Sequence, residues 1–550
     1  MSGIEPLLQV MDLNVSFAGK NVVHDVSFTV DAGECLALVG ESGSGKSVTA
    51  RSLIGLAGPG SLVHAETLDI GGRDARNLSQ RSWRAIRGKR VGLILQDALT
   101  SLDPLRTVGK EIDDTLRLHS TGSGAQRASR VIELLTAAGL DDPIRCASQR
   151  SGELSGGMRQ RALIASAIAL EPALIIADEP TTALDATIAA SVLRLLSDLR
   201  QEGSGMLLIS HDLAAVARVA DSIAVMQAGK IVERGTREQI FENPQHPYTR
   251  ALLAAAPEDK PRFSRLSPPS DGPTTPMPQP RAHAANQIEA DAKSPPLLSA
   301  RGLSKSFPLA KSSSFSAVRN VDFELFAGRT LGVVGESGSG KTTTARMVLG
   351  LLSPDSGSVE LFGERWSGVP ESRRRALRSS LGAIYQDPLS SFDPRLSTAS
   401  LLADAISSGA TRNPRCHAVR IQELLEMVGL DPEVAARNPA TLSGGQRQRV
   451  AIARALAPNP RVLICDEPVS ALDVSIQAQV LDLLDDLQQR LGLSYLLISH
   501  DLAVIRHMSD SVLVMRAGEV VESGATESVF TNPKHEYTRT LVAAAPDSRL

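Results

Sequence analysis

The order of apolar and polar residues predicts strands and helices in alternation along most of the chain. The N-terminal stretch alternates apolar and polar residues, as half-buried strands do, and later runs are apolar throughout, as in buried parallel strands. The predicted strands are residues 7–15, 22–30, 35–39, 174–177 and 206–209. Apolar residues at helical spacing predict helices at residues 48–56, 127–138 and 186–200. Together these elements indicate an α/β protein built on a parallel sheet.

The chain repeats its own motifs at a nearly constant distance. Residues 40–47 recur at 335–342, an offset of 295, and L-S-G-G at 154–157 recurs 288 residues later. D-E-P and I-S-H-D also recur, at offsets of 288 and 289. A period this long indicates a duplicated domain rather than a solenoid of short repeats. We place the two domains at residues 1–257 and 298–550.

Between the copies, residues 258–297 are rich in proline, serine and charge and poor in large apolar residues. The clustered prolines exclude a helix or a central strand. We therefore expect an extended, mobile linker of about 40 residues. An ordered arm clamped on a partner is the alternative.

Composition narrows the function classes. With 550 residues the chain is too long for one core, and its net charge of −3 provides no general attraction to nucleic acid or anionic membranes. The four cysteines form no C-x-x-C pair, which argues against a zinc ribbon or a disulfide scaffold and suits a reducing compartment. We also expect no transmembrane helix and no secretion signal, so that any membrane role requires partners.

Residues 40–47 and 335–342 match the phosphate-binding loop G-x-x-x-x-G-K-[ST], and the first of them lies between a predicted strand and a predicted helix. The glycines let consecutive N–H groups turn toward phosphate oxygens, and the helix N-terminus adds positive potential. The lysine reaches the β- and γ-phosphates, and the hydroxyl holds Mg²⁺. The predicted nucleotide-binding residues are Gly40, Ser42, Gly43, Ser44, Gly45, Lys46 and Ser47, and Gly335, Ser337, Gly338, Ser339, Gly340, Lys341 and Thr342.

Acidic pairs follow an apolar run in both copies. Asp178 and Asp466 end predicted strands beside the phosphate-binding loop, where a carboxylate can hold Mg²⁺. Glu179 and Glu467 come next and are placed to polarise a water for attack on the γ-phosphate. A solvated Asp-Glu pair is the ordinary alternative, which the matched offsets in two copies disfavour.

Two further polar positions follow apolar runs in each copy. His211 and His500 are predicted to contact the γ-phosphate, with a surface or core histidine as the alternative. Gln96 and Gln386 are predicted to sense Mg²⁺ and the attacking water.

A second glycine motif begins a helix rich in arginine and alanine. Its serine and two glycines form a second anion-binding helix N-terminus, with an ordinary glycine-containing cap as the alternative. The predicted residues are Ser155, Gly156 and Gly157 in the first copy and Ser443, Gly444 and Gly445 in the second.

Together these motifs resemble those of the ATP-binding cassette family, over both copies. The resemblance implies two tandem P-loop NTPase domains, each with a mixed or parallel sheet core, an antiparallel β subdomain and a helical subdomain. It also implies that the cassettes pair head to tail around two ATP molecules, each loop facing the other copy's L-S-G-G, with two hydrolytic sites. Phe17 and Phe307 are then candidates for stacking on adenine, with Phe315 competing with Phe307. The signature motif of this family is L-S-G-G-Q. Met158 replaces its glutamine in the first copy, although the serine and glycine donors remain.

A narrower resemblance is to the oligopeptide and dipeptide importer ATPases. It rests on residues 96–104 and 386–394 and on N-P-x-H-x-Y-T at 243–249 and 532–538. It implies ATP-driven peptide uptake through two separate permease subunits, with an extracytoplasmic solute-binding protein, at the cytoplasmic face of the membrane. Some relatives carry an iron–sulfur cluster after N-P-x-H. Because no cysteine occurs there, we expect no iron–sulfur cluster. The expected cofactors are ATP and Mg²⁺, and we expect no nucleic-acid partner.

Alternatives remain at this point. The same machinery imports nickel, metal chelates or glutathione in relatives of this family, and no residue of an ATPase subunit contacts the cargo. A soluble tandem-cassette translation factor is the alternative of another class. In such factors a long charged helical linker joins the two cassettes, whereas the segment between the copies here is rich in proline.

Overall fold

The structure is a computed structural model that describes residues 5–96, 101–119, 122–182, 184–257, 260–267, 295–308, 314–470 and 472–544. Contacts divide the chain into a first unit that ends at Leu253 and a second unit that begins at Ala254. Each unit contains one copy of the repeated motifs. The duplication predicted from the sequence is therefore visible as two folded bodies.

The first unit has ten strands and ten α-helices among its described residues. The strands are β1 (Leu8–Phe17), β2 (Lys20–Val30), β3 (Cys35–Val39), β4 (Ser61–His64), β5 (Thr67–Ile70), β6 (Val91–Ile94), β7 (Leu174–Asp178), β8 (Gly205–Ser210), β9 (Ser222–Gln227) and β10 (Lys230–Thr236). The helices are α1 (Lys46–Leu53), α2 (Gln80–Ile86), α3 (Val108–Leu118), α4 (Gly124–Ala137), α5 (Pro143–Ser148), α6 (Gly156–Ala167), α7 (Ala186–Gln201), α8 (Leu213–Val219), α9 (Arg237–Glu242) and α10 (Pro247–Ala254).

The second unit repeats this order. Its strands are β11 (Leu298–Pro308), β12 (Ser314–Leu325), β13 (Thr330–Val334), β14 (Ser356–Leu361), β15 (Glu364–Arg365), β16 (Leu381–Ile384), β17 (Val462–Asp466), β18 (Ser494–Ile498), β19 (Ser511–Arg516) and β20 (Glu519–Ala525). Its α-helices are α11 (Lys341–Val348), α12 (Glu371–Arg378), α13 (Thr398–Ile406), α14 (Ala418–Met427), α15 (Gly444–Leu456), α16 (Val474–Leu491), α17 (Leu502–Met508), α18 (Thr526–Thr531) and α19 (Glu536–Ala544).

Each unit contains two sheets of different character. In the first unit a six-stranded sheet has the order β10-β9-β3-β8-β7-β6, parallel except for the pairing of β10 with β9. A separate antiparallel sheet joins β1 to β2, β4 and β5. The second unit has the same two sheets, in the orders β16-β17-β18-β13-β19-β20 and β12-β11-β14-β15. The predicted fold of mixed core sheet, antiparallel subdomain and helices is confirmed.

The burial pattern explains why the predicted strands form. Every residue of β3, β8 and β13 is buried, as expected for strands covered on both faces. In β2 the C-terminal half alternates buried and less buried residues, as expected for a strand with one face on the core. Among the described residues, no helix has both the length and the hydropathy needed to cross a bilayer.

Most of the predicted linker lies outside the described residues. Its described parts, residues 260–267 and 295–297, are both grouped by contacts with the second unit. Residues 260–267 therefore contact the second unit of the same chain, whereas the alternative considered from sequence was an arm clamped on a partner.

Candidate nucleotide-binding sites

The phosphate-binding loop of the first unit connects β3, the third strand of the core sheet, to α1. The ammonium of Lys46 is almost fully buried and donates to the carbonyls of Gly40 and Glu41, at 2.7 and 2.8 Å. Gly45 forms the N-cap of α1 in a left-handed conformation, with no side-chain cap hydrogen bond. An uncapped helix N-terminus beside a buried lysine fits a phosphate group.

Gly40 shows why the loop needs glycine at its first position. Its φ is +149°, and a Cβ there would stand 2.2 Å from the carbonyl oxygen of Met226 on the neighbouring strand β9. Gly335 has φ of +151° and the same restriction, 2.1 Å from the carbonyl oxygen of Met515. Since backbone lies on the other side of each contact, another residue would displace the loop from the sheet.

The site has donors suited to Mg²⁺. The Ser47 hydroxyl donates to Oδ1 of Asp178 over 2.8 Å, and Asp178 is fully buried at the end of β7. Its other oxygen, Oδ2, is buried and has no hydrogen-bond partner among the described residues. Burial raises the pKa of Asp178, although Ser47 and Arg51 oppose the shift. A hydroxyl beside a carboxylate oxygen of unused capacity fits a hard cation that also binds nucleotide oxygens.

Glu179 lies at the centre of a polar cluster at the carboxyl end of the core sheet. Its carboxylate accepts from the Gln96 amide at 2.6 Å and from the Thr182 hydroxyl at 3.0 Å. His211 Nδ1 lies 3.1 Å from the other carboxylate oxygen. Glu179 has φ of +51°, in the left-handed region that non-glycine residues seldom adopt. A strained backbone among convergent polar groups is typical of a functional site.

Opposing effects set the charge of Glu179. Burial raises its pKa, but the hydrogen bond and charge of His211 and the hydrogen bond from Thr182 lower it below its ordinary value overall. The side chain is therefore a carboxylate at neutral pH. An ionised carboxylate at this position can orient a water molecule and accept its proton, as a general base does.

The second unit reproduces this arrangement closely. Lys341 donates to the carbonyls of Gly335 and Glu336 at 2.7 and 2.8 Å. The polar cluster is formed by three further contacts. These are Gln386 Nε2 to Glu467 Oε2 at 2.7 Å, His500 Nδ1 to Glu467 Oε1 at 3.2 Å, and Thr342 Oγ1 to Asp466 Oδ1 at 3.3 Å.

The charges in the second unit follow the same causes. Burial raises the pKa of Asp466, while Glu467 has a lowered pKa because His500 outweighs the effect of burial. Burial lowers the pKa of His500, but the bond to Glu467 raises it overall. Glu467 has φ of +52°, as Glu179 does. The second unit therefore carries an ionised glutamate in the same strained position.

The L-S-G-G motifs begin α6 and α15, as predicted. Ser155 and Ser443 are N-caps whose hydroxyls accept from the backbone N–H three residues later, at 3.3 Å in both units. A Cβ on Gly157 would stand 2.4 Å from Cδ1 of Ile188. A Cβ on Gly156 would meet no atom within 4 Å. The second glycine is thus required for packing against α7, and the first keeps the helix end open.

The helices that begin at the L-S-G-G motifs, α6 and α15, are called the signature helices here. They differ at their third residue. In the second unit Gln446 accepts from the Ser443 N–H at 3.2 Å, which completes a reciprocal capping box. Met158 occupies this position in the first unit and has no side-chain oxygen for that bond. The sequence departure at Met158 therefore leaves the serine and glycine donors in place but removes half of the cap.

Other predicted site residues lie at the ends of the antiparallel sheets. Phe17, the last residue of β1, is partly buried against the hydrophobic core. Phe307 and Phe315 are both exposed and face each other across the pairing of β11 with β12. Residues 97–100, in the first importer-like segment, lie outside the described residues.

The sequence analysis missed one contact to the loop in each unit. The Tyr248 hydroxyl accepts from the Glu41 N–H at 3.1 Å, and Tyr537 accepts from the Glu336 N–H at the same distance. Both tyrosines belong to the N-P-x-H-x-Y-T motif. The preceding histidine accepts from the tyrosine N–H, at 3.2 and 3.1 Å. The motif was evident from its repetition, but only the fold shows that it reaches the phosphate-binding loop.

Comparison with known families matches both units. The family model described as ABC transporter covers residues 23–182 and 318–470. A second model, described as the C-terminal region of oligopeptide/dipeptide transporters, covers residues 232–281 and 521–549. The second model includes both tyrosines that contact the loops.

Curated relatives align along nearly the whole chain. The peptidoglycan transport ATP-binding protein YejF of Agrobacterium fabrum is 42% identical over 98% of this chain and 96% of its own length. The glutathione import ATP-binding protein GsiA of Escherichia coli K12 is 43% identical over 98% of this chain and 89% of its own length.

Among solved structures, the complex of archaeal ribosomal stalk protein aP1 with the ribosome recycling factor aABCE1 aligns with a TM-score of 0.59. It covers 92% of this chain and 88% of that chain at 20% identity. This likeness concerns the fold alone.

Proposed function

The chain belongs to the ABC transporter family, as an ATP-hydrolysing chain with two nucleotide-binding units, and we propose that it powers the import of short peptides. The observation that carries the proposal is the match of both units to the C-terminal region of oligopeptide/dipeptide transporters. The two relatives support it, because both glutathione and the peptide part of peptidoglycan are short peptides.

The proposed machinery requires partners. The chain would act at the cytoplasmic face of the membrane with two permease subunits and an extracytoplasmic solute-binding protein. Its two units would pair head to tail, each binding ATP between its own loop and the other unit's signature serine and glycines. ATP binding would close this pair, and hydrolysis with release of phosphate would reopen it.

The catalytic roles follow from the site geometry in each unit. Glu179 and Glu467 would orient and deprotonate the attacking water, with His211 and His500 holding the carboxylates and facing the γ-phosphate. Lys46 and Lys341 would neutralise phosphate charge. Mg²⁺, held by Ser47 and Asp178 or by Thr342 and Asp466, with Gln96 or Gln386 close by, would polarise the phosphate oxygens.

The segment after Gln386 offers a route from the nucleotide to a permease. Arg454 of the signature helix α15 donates to the carbonyl of Ser391 at 2.7 Å and lies over the ring of Phe392 at 5.0 Å. Movement of the signature helix would therefore move this segment. Asp387 and Ser390 are exposed there and available to a cytoplasmic helix of a permease.

Glutathione import is the second candidate, because of the relative named for that activity. The fold likeness to a ribosome recycling factor does not favour a translation role, since its identity is only 20%.

Uptake by cells tests the proposal. The only gene copy would carry Glu179→Gln and Glu467→Gln, and uptake of labelled dipeptide, glutathione and nickel would be measured separately. We expect dipeptide uptake to be lost in the double variant and restored by the unmutated gene. Unchanged dipeptide uptake with loss of glutathione uptake would move the cargo to glutathione. Loss of nickel uptake alone would contradict the peptide proposal.

A further inference from the structure

The segment of residues 260–267, called the strap below, lies against two helices of the second unit, α16 and α17. Arg262 forms an ion pair with Asp510 and donates to Gln488 Oε1 at 2.9 Å and Thr330 Oγ1 at 3.1 Å. Gln488 belongs to α16, and Asp510 immediately precedes β19. Arg262 thus connects helix α16 with the N-terminal ends of the core strands β13 and β19.

Asp482 on α16 holds the other end of the strap. Its two carboxylate oxygens accept from the backbone N–H groups of Leu266 and Ser267, both at 2.9 Å, and from the Ser267 hydroxyl. The Leu266 side chain is only 2% exposed. A buried leucine between two charge-assisted contacts is a specific mode of binding rather than a chance approach.

The site beneath the strap is acidic and largely buried. Asp485 is 3% exposed, and its Oδ1 has no hydrogen-bond partner among the described residues. Burial raises the pKa of Asp485 to about 7, and the Arg262 guanidinium is the main opposing effect. His507 lies on α17, and its Nδ1 is 3.3 Å from the carbonyl oxygen of Lys260. Without the strap, Asp485 would lose the Arg262 guanidinium, which offsets its repulsion by the neighbouring carboxylates.

In the first unit, an arginine of its own helix pairs with the corresponding aspartate. Asp221 corresponds to Asp510, since each accepts from the first N–H of the phosphate-loop strand, Cys35 at 2.8 Å and Thr330 at 2.7 Å. In the first unit the partner of Asp221 is Arg200 on α7, 2.6 Å away. The repeat offset of 288 places Gln488 at the position of Arg200.

At the remaining positions the first unit carries more positive charge than the second. Asp482, Asp485 and His507 correspond by the repeat offsets to Arg194, Ser197 and Arg218 of the first unit. The first unit is therefore basic where the second is acidic. An arginine-bearing segment is attracted to one and repelled by the other.

From this exchange we propose that the strap is a built-in ligand of the second unit, and that Arg262, together with Arg329 on the same Asp510 carboxylate, takes the role that Arg200 has in the first unit. The docking site, formed around Asp482, Asp485 and Asp510, binds an arginine-containing segment in extended and turn conformation. In this chain the residues that follow the first unit supply that segment. Fusion of the two units is then part of the second unit's stability. The strap also contacts both α16 and α17. The N-termini of these two helices lie just after Asp473 and His500.

Hydrogen exchange of the full-length chain tests the proposal. In the unmodified protein the amides of Leu266 and Ser267 are expected to be protected. Arg262→Ala should speed their exchange about tenfold or more, because hydrogen bonds and pairs to charged groups contribute roughly 1.5–3 kcal/mol. Arg301→Ala, which removes an exposed arginine in a weak surface pair, is the matched control. Equal exchange in the two variants overturns the proposal.

A rescue variant separates the proposed role from general damage. In the Arg262→Ala background, Gln488→Arg restores the arrangement of the first unit, and the thermal stability of the second unit should return. Gln488→Arg alone should release the strap, with faster exchange at Leu266, while that unit remains folded. Failure of both results would show that the arginine position does not carry the interaction. Neither measurement involves cargo, so both are independent of the proposed import.

Discussion

The two units share their nucleotide chemistry and differ around it. Around Glu179 and Glu467, the amide and histidine contacts agree within 0.1 Å, at 2.6 and 3.1 Å against 2.7 and 3.2 Å. The left-handed backbone of the two glutamates also agrees, at φ of 51° and 52°. Such agreement after extensive sequence divergence fits the prediction that both sites perform the same chemistry.

The differences lie one step away from the nucleotide. The first unit has Met158 in its signature helix where the second has Gln446 in a capping box. The first unit pairs Arg200 with Asp221, whereas in the second unit Asp510 pairs with Arg262 of the strap and, at 3.2 Å, with Arg329. Duplication has therefore preserved the predicted reacting groups, while the contacts that support them differ between the units.

The largest effect is expected from the glutamates. Glu179→Gln and Glu467→Gln should each reduce ATP turnover, and the double variant should lose about 10²- to 10⁴-fold, the usual contribution of a general base. Because the two sites have the same geometry, the single variants should agree within about twofold. Steady-state phosphate release from the purified chain measures this. A single variant with full activity would break the equivalence of the units.

An intermediate effect is expected from the loop tyrosines. Tyr248→Phe and Tyr537→Phe each remove an acceptor from the phosphate-binding loop and should weaken ATP binding about 2- to 10-fold, the value of one hydrogen bond. Binding of a fluorescent ATP analogue measures the change.

Tyr495→Phe is the matched control for the tyrosines. It removes a buried hydroxyl that donates to the carbonyl of Leu484 at 2.7 Å, away from the loop. It should reduce the thermal stability of the second unit without weakening nucleotide binding. If all three variants bind ATP equally, the tyrosines do not position the loop.

The smallest effect concerns the signature helices. Met158→Gln should complete the capping box of the first unit and stabilise that helix end by about 0.3–1.5 kcal/mol. Gln446→Met should cost the second unit a similar amount. Amide exchange at Ser155 and Ser443 reports both changes. Slower exchange in the first unit and faster exchange in the second are expected, and no change in either would show that the cap contributes nothing.

Much of the fold and site could be predicted from sequence, because the motifs are duplicated. The strand before the first loop and the helix at Ala186–Gln201 were predicted within one residue. The polar cluster was predictable because its members end parallel strands, whose carboxyl ends meet at one edge of the sheet. Whether each residue acts as assigned, including Phe17 and Phe307 toward adenine, stays a prediction.

Long-range contacts set the limit of sequence reasoning. The Tyr248 hydroxyl meets the loop from 207 residues away, and no local pattern gives that distance. Arg262 lies in a proline-rich stretch whose composition indicates disorder. Its order depends on an acidic site 220 to 250 residues later, which only the folded second unit assembles.

The most direct test of the account is the number of ATP molecules held by the Glu179→Gln/Glu467→Gln chain. The account requires that both units bind ATP and that their glutamates perform the hydrolysis. After incubation with Mg²⁺ and labelled ATP and removal of free nucleotide, two ATP per chain should remain, unhydrolysed. One ATP per chain, or labelled ADP formed at the normal rate, would contradict the claim of two equivalent hydrolytic sites.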